Sequence, residues 1–208
     1  MKDNKTYIIF IILLVLIVTF IIIIFNKDKD DYIYLESEIP VINIDNASSA
    51  NQTIKNLYND NKNIVNHEIY TNTDVYSLVL DIDYYSSDTG ETLKSYVAYN
   101  ISLTSEEILT KEELLDKFNI SKNDVISSAR KLLKQYYDEE VKEGYIEKNE
   151  CSFEDYIFYI REIEDIYENT VLFVKNNELY GYIPFYKNSL FDDSDYFLDK
   201  EDLFKFKI

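Results

Sequence analysis

The chain has 208 residues, of which 46% are hydrophobic and 29% are charged, a composition typical of a folded domain rather than a disordered chain. Its single cysteine excludes an intramolecular disulfide and a cysteine-rich zinc module. The net charge of −18 excludes a general nucleic-acid binder, because such proteins neutralise phosphates with a basic surface.

The first predicted element is an apolar segment from Tyr7 to Phe25 that carries no charged residue. As a helix it would extend roughly 28 Å, close to the hydrocarbon thickness of a bilayer. We therefore predict a transmembrane helix that contacts membrane lipid through residues 7–25. A cleaved signal peptide is the main alternative, but its apolar region would be shorter and would end at small residues, whereas Asn26 and Lys27 follow here.

The residues that flank the apolar segment predict its orientation. Lys2 and Lys5 before the segment are matched by Lys27 and Lys29 after it, so the start amine and the short N-terminal tail decide for a cytoplasmic N-terminus and a cell-membrane protein whose C-terminal part is extracytoplasmic. Two of the 21 basic and one of the 39 acidic residues lie in the first five positions, which leaves a net charge of −19 for the remainder. Such a domain could attract cationic partners. The predicted organisation is a cytoplasmic tail (1–6), a transmembrane helix (7–25), a linker (26–31) and an extracytoplasmic domain (32–208), which could divide into sub-lobes 32–103 and 104–208.

The first half of the extracytoplasmic domain is predicted to contain strands and one helix. Residues 32–44 look extended, with Pro40 marking an edge or a break. Apolar residues at helical spacing predict a helix from Ser48 to His67. Strict alternation from Tyr76 to Tyr84 and from Leu93 to Leu103, with turn residues between, predicts an antiparallel hairpin.

The second half begins with predicted helices and ends with a hairpin. Thr110 and Ser121 are predicted helix caps, the first with Glu113 as its capping-box partner, and Gly144 is the predicted end of the second helix. Ser152 with Asp155 predicts a third cap, followed by helical spacing to Tyr167; a strand over residues 156–160 is the alternative. Residues 170–174 and 179–186 flank an Asn-Asn turn. The predicted fold class is α+β, with an N-terminal transmembrane helix and an ectodomain whose mostly antiparallel sheet is packed by helices.

Most catalytic templates fail because the residues they need are missing. His67 is the single histidine, so a two-histidine zinc site cannot form, and nothing local supports a Cys151–His67 pair. Three glycines are too few for a phosphate-binding loop. Asp81 and Asp83 share one strand face, but a glycosidase needs two carboxylates across a cleft. We predict no catalytic residue, no cofactor and no enzyme.

A weak metal candidate lies near the C-terminus. Asp192, Asp193 and Asp195 form an acidic run that could offer several oxygens to Ca²⁺. The run lacks the spacing and the glycine of an EF-hand, so a solvated acidic loop is the preferred interpretation. The 20 tyrosines and 12 phenylalanines supply a core and suit a binding surface.

Five segments, taken in order, resemble the paired extracytoplasmic domains of RsiV-type anti-sigma factors and PdaC-type polysaccharide deacetylases. The resemblance implies an α+β ectodomain outside a bacterial membrane; in the anti-sigma relatives this region is a sensor that binds lysozyme. The six residues before the apolar segment are too few to hold a sigma factor, and no deacetylase domain is present. The glycine and alanine expected near the last strand pair are replaced by FYKNSLFDDSD. The segments are IPVINID (39–45), ANQTIKNLYND (50–60), the hairpin at 74–103, ILTKEELLDKFNIS (108–121) and ENTVLFVKNNELYGYIPFY (168–186).

These observations predict a membrane-anchored, extracytoplasmic binding or sensor module that is not catalytic. Its partner would be a cationic protein such as lysozyme or a cell-wall component, and not a nucleic acid. The alternative is a structural subunit of a membrane complex, and an envelope hydrolase using paired carboxylates is a third hypothesis.

Overall fold

The computed structural model describes residues 32–61, 63–85, 92–160, 163–183 and 205–208. The predicted transmembrane ends, Tyr7 and Phe25, lie outside these residues, as do the turn at 86–90 and the acidic run at 192–195.

In the part of the chain that the structure describes, fifteen segments of regular structure form three antiparallel sheets with helices between them. The sheets have the strand orders β1-β2, β3-β4-β5-β6 and β7-β8-β9. In chain order the elements are β1 (Ile33–Glu36), β2 (Ile39–Ile42), α1 (Ser48–Asn59), β3 (Asn63–Thr71), β4 (Val75–Tyr85), β5 (Thr92–Ser102), β6 (Glu107–Leu109), α2 (Lys111–Phe118), α3 (Lys122–Glu143), α4 (Phe153–Asp155), a π-helical turn (Tyr156–Ile160), α5 (Ile166–Asn169), β7 (Val171–Lys175), β8 (Glu178–Tyr182) and β9 (Lys205–Lys207).

The central strand β4 is buried on both faces of its sheet. One face carries Leu78 and Leu80, which pack in a cluster with α1 and the β1–β2 hairpin. The opposite face carries Val79, which packs with Phe173 of β7 and Tyr182 of β8. Because side chains alternate along a strand, these two contacts place the small hairpin with α1 on one side of the sheet and the β7–β9 sheet on the other.

A buried polar bridge joins the two larger sheets. The Ser77 hydroxyl on β4 donates to Asn100 Oδ1 on β5, at 2.6 Å. Asn100 Nδ2 donates to the carbonyl oxygen of Leu172 on β7, at 2.8 Å. The Ser77 oxygen also accepts a hydrogen bond from Val174 N–H, at 2.9 Å. These bonds fix the position of β7 against the sheet, because buried polar groups are costly when unpaired.

The predicted helix boundaries in the middle of the chain are confirmed. Thr110 and Ser121 form reciprocal capping boxes with Glu113 and Asp124. Helix α3 ends at Gly144, whose φ of 83° is the left-handed conformation expected of a C-terminal glycine. The hairpin turn at Asn176-Asn177 is also confirmed, with positive φ at both residues.

The predicted helix from Ser48 to His67 was wrong beyond Asn59. Helix α1 ends there, and residues 63–71 form β3, which pairs with β4 over its whole length. Ile64 and Val65 fit either period when the sequence is considered alone. The pairing with β4 decides between them, because it satisfies the backbone of β3 and places Val65 against the apolar cluster under α1.

The predicted fold class is also corrected. The predicted class included an N-terminal transmembrane helix. The part of the chain that the structure describes contains no helix long and apolar enough to cross a membrane. The longest described helix, α3, has 22 residues, but its outer face carries charged side chains such as Lys131 and Glu139. The class that the structure supports for the described residues is α+β with antiparallel sheets.

A buried tyrosine joins α2, α3 and α5 and predicts a pH-dependent stability. The Tyr167 hydroxyl donates to Glu112, at 3.1 Å, and burial followed by this hydrogen bond raises its pKa from 10.0 to about 12. A raised folded-state pKa gives a stabilising contribution that is complete below pH 10 and is lost as pH rises toward 12. We expect urea unfolding at increasing pH to show this loss in the natural chain and not in Tyr167→Phe. Parallel pH profiles of the two proteins would contradict the assignment.

Candidate binding surface

Two neighbouring aromatic side chains stand in solvent on the π-helical turn. Phe158 is 51% exposed and Tyr159 is 66% exposed. Their rings meet edge to face, with centroids 5.0 Å apart and planes at 87°. Large exposed aromatics held together are typical of protein-binding surfaces, where they bury much area at little entropic cost.

The residues before this pair hold the turn in place. Ser152 caps α4 in a capping box with Asp155. Tyr156 is fully buried, its ring contacts that of Tyr137 at 5.3 Å, and its hydroxyl donates to the buried Glu140, at 3.1 Å. Because Tyr156 and its neighbour Ile157 enter the core, the next two side chains are carried to the outer side of the turn. Single π-helical turns are rare and occur often at functional sites.

Three exposed carboxylates precede the aromatic pair in the sequence. Glu154 and Asp155 lie four residues before Phe158 and Tyr159, which is the spacing of side chains on one helix face. Exposed Glu150 lies in the turn before the cap. We name the five exposed residues the acidic aromatic surface: Glu150, Glu154, Asp155, Phe158 and Tyr159.

Two cations of α3 lie near this surface among the described residues, Arg130 and Lys134, and both lie over the Phe153 ring. Arg130 of α3 makes a bidentate ion pair with Glu154, and its guanidinium lies 5.2 Å from the Phe153 ring centre. The hydrogen bond from Arg130 lowers the pKa of Glu154, so this carboxylate stays ionised at neutral pH. Arg130 thereby offsets one charge and fixes the Glu154 side chain.

The arrangement has features that suit recognition of a partner. Phe158 and Tyr159 can be desolvated by a partner, while acidic side chains before them in the sequence can attract and orient positive charge. Within the described ranges, no group of three His, Cys, Asp or Glu side chains could hold a metal ion.

The sequence-derived site residues do not come together. The calcium candidates Asp192, Asp193 and Asp195 lie outside the described residues. Asp81 and Asp83 share one face of β4 as predicted. Lys94 of β5 forms ion pairs with both carboxylates, with its Nζ 3.0 Å from Asp81 Oδ2 and 3.9 Å from Asp83 Oδ1. The two aspartates and Lys94 therefore form one ion-pair cluster on the sheet.

His67 and Cys151 each contact other groups. His67 Nδ1 lies 2.9 Å from the Tyr58 hydroxyl of α1. The Cys151 thiol lies 3.5 Å from the carbonyl oxygen of Ser152. Burial, aided by Asp155 and Glu140, raises the pKa of the thiol. A raised pKa disfavours the thiolate, so Cys151 has none of the activation of a nucleophile.

Part of the aromatic excess in the described ranges fills the core. Between β5, β7 and β8 the Tyr96 and Tyr182 rings stack 4.1 Å apart, and Phe173 lies 4.9 Å from Tyr182. These three rings are buried. They bind the two sheets together and offer no platform to a ligand.

Sequence reasoning missed the exposed pair, although a signal was present. The run Tyr156 to Ile160 contains five consecutive large apolar or aromatic residues. A short helix at the edge of a core buries only one stripe, so some members of such a run must face solvent.

No protein-family model, curated protein or solved structure matches the chain.

Proposed function

We propose that this domain is a non-catalytic binding or sensor module for a cationic protein, and that the partner docks on the acidic aromatic surface. The observation that carries the proposal is the exposed pair Phe158 and Tyr159, which follows the ionised Glu154 by four and five residues. Exposed apolar groups with a charged rim are the usual composition of a docking site.

Charge favours a cationic protein over a neutral cell-wall polymer. The residues after position 5 carry a net charge of −19, derived from the composition. Such a field raises the association rate of a positively charged protein and repels acidic polymers. Lysozyme is a suitable probe, because it is a small cationic protein and because the family resemblance implies it. The location of the domain outside a cell membrane stays a prediction that depends on residues 7–25.

The test is calorimetric titration of lysozyme into the full chain in detergent solution, at low and high salt. The proposal predicts binding that weakens with salt, because the long-range part of the attraction is screened. We expect Phe158→Ala to weaken binding by about 2 kcal/mol, roughly thirtyfold, as a central aromatic anchor does. Glu150→Gln should mainly slow association.

The matched control is Tyr34→Ala on β1. Tyr34 is an equally exposed aromatic residue outside the acidic aromatic surface, so its removal should leave the affinity unchanged. Equal losses from Phe158→Ala and Tyr34→Ala, or lysozyme binding that is indifferent to both, would contradict docking at the proposed surface. Failure to bind lysozyme or a cationic peptide at low salt would refute the proposed partner class.

A further inference from the structure

Strand β3 forms one edge of the four-stranded sheet, and its outer side pairs with no strand among the residues that the structure describes. The strand has nine residues, and its register with β4 runs without a bulge from Asn63 to Thr71. Natural edge strands are normally shortened or protected by proline, lysine or a bulge. β3 has no proline, lysine or bulge and carries a single acidic residue, Glu68, while the opposite edge, β6, is only three residues long.

The closing turn of the β3–β4 hairpin fixes which backbone groups face outward. Asn72 N–H donates to the carbonyl oxygen of Val75, at 3.0 Å. Hydrogen-bonded and non-hydrogen-bonded residue pairs alternate along an antiparallel ladder. Every second residue before Asn72 therefore directs its backbone N–H and C=O groups to β4. The intervening residues Val65, His67 and Ile69 therefore direct their N–H and C=O groups to the open edge.

The sequence of β3 is self-complementary about His67. When two copies of the strand run antiparallel with His67 opposite His67, all nine residues overlap. The outward-facing N–H and C=O groups of one copy then face those of the other. Val65 then lies opposite Ile69 of the second copy, and Ile64 lies opposite Tyr70. The charged Glu68 lies opposite the neutral Asn66. Each apolar residue meets an apolar one, and no like charges are directly opposed.

Exposure supports the same pairing. The side chain of Ile64 is 67% exposed, and that of Ile69 is 37% exposed. Both belong to the set that the antiparallel pairing would cover. We propose that two copies of this chain associate through β3 about a two-fold axis at His67, and so join two four-stranded sheets into one. The proposal is independent of the acidic aromatic surface, which lies on the π-helical turn.

A single cysteine at the axis tests this arrangement in the full chain. Opposed residues of a bonded antiparallel pair have Cα atoms about 5.5 Å apart, within the range of a disulfide. In a Cys151→Ser background, His67→Cys should form a disulfide-linked dimer under mild oxidation, seen on a non-reducing gel. The matched control is Asn66→Cys. Its copies are offset by two residues, with Cα atoms roughly 8 Å apart, so they should link far more slowly.

A second substitution tests the side-chain pairing. Adding Ile64→Glu to the His67→Cys variant should slow disulfide formation about tenfold, because two symmetric Ile–Tyr contacts are lost. Ile64 is exposed, so the fold should survive, which circular dichroism verifies. Phe158→Glu should leave linkage unchanged while abolishing lysozyme binding, which separates this proposal from the proposed function. Absence of a dimer in folded His67→Cys, or equal linkage at positions 66 and 67, would overturn it.

Discussion

Replacement of Phe173 by alanine is expected to lower the free energy of unfolding by about 3–5 kcal/mol, the usual cost of removing a buried aromatic side chain. Phe173 is fully buried on β7, and its ring stacks between those of Tyr70 on β3, at 5.4 Å, and Tyr182 on β8, at 4.9 Å. Three strands meet on this ring, so the cavity cannot close by moving one of them. Urea unfolding monitored by circular dichroism measures the effect.

The control for Phe173→Ala is the same substitution at Phe158. Phe158 is half exposed, and we expect its loss to change stability by no more than about 0.5 kcal/mol. Similar losses at the two positions would show that the sheets are not held together by this aromatic contact.

Replacement of Asn100 by alanine is expected to cost about 2–4 kcal/mol. The substitution leaves the Leu172 carbonyl oxygen without its donor and removes the acceptor of the Ser77 hydroxyl. Each unpaired buried group costs about 1–3 kcal/mol, because no water replaces the lost partner. A thermal or urea melt of the full chain gives the value.

A double-mutant cycle with Ser77→Ala tests whether the bridge acts as a unit. Because Ser77 and Asn100 bond each other and both bond β7, the double variant should lose less stability than the two single variants together. Strict additivity would mean that the two residues act separately and that the bridge does not position β7.

The parts of the fold that could be predicted were those in which the local sequence is decisive. The capping residues Thr110, Ser121 and Ser152 bond groups three positions away, and Asn176-Asn177 accepts positive φ in both positions. No distant contact is needed for these features, so spacing alone reveals them.

Features that depend on distant contacts could not be predicted. Residues 63–71 satisfy either a helical or an alternating period, and only pairing with β4 selects the strand. For the β1–β2 hairpin the sequence predicts only one extended segment, because the turn residues Ser37 and Glu38 adopt positive φ without glycine or asparagine. The candidate surface could not be predicted for a related reason. Burial of Tyr156 against Glu140 decides which side of the π-helical turn faces solvent, and that contact joins distant parts of the sequence.

Hydrogen–deuterium exchange of the full chain, with and without saturating lysozyme at low salt, locates the residues on which the partner docks. We expect slower exchange confined to residues 150–160, and loss of that protection in Phe158→Ala. Protection that lies elsewhere, such as on the β1–β2 hairpin or on β3, with none at the π-helical turn, would contradict the acidic aromatic surface as the binding site.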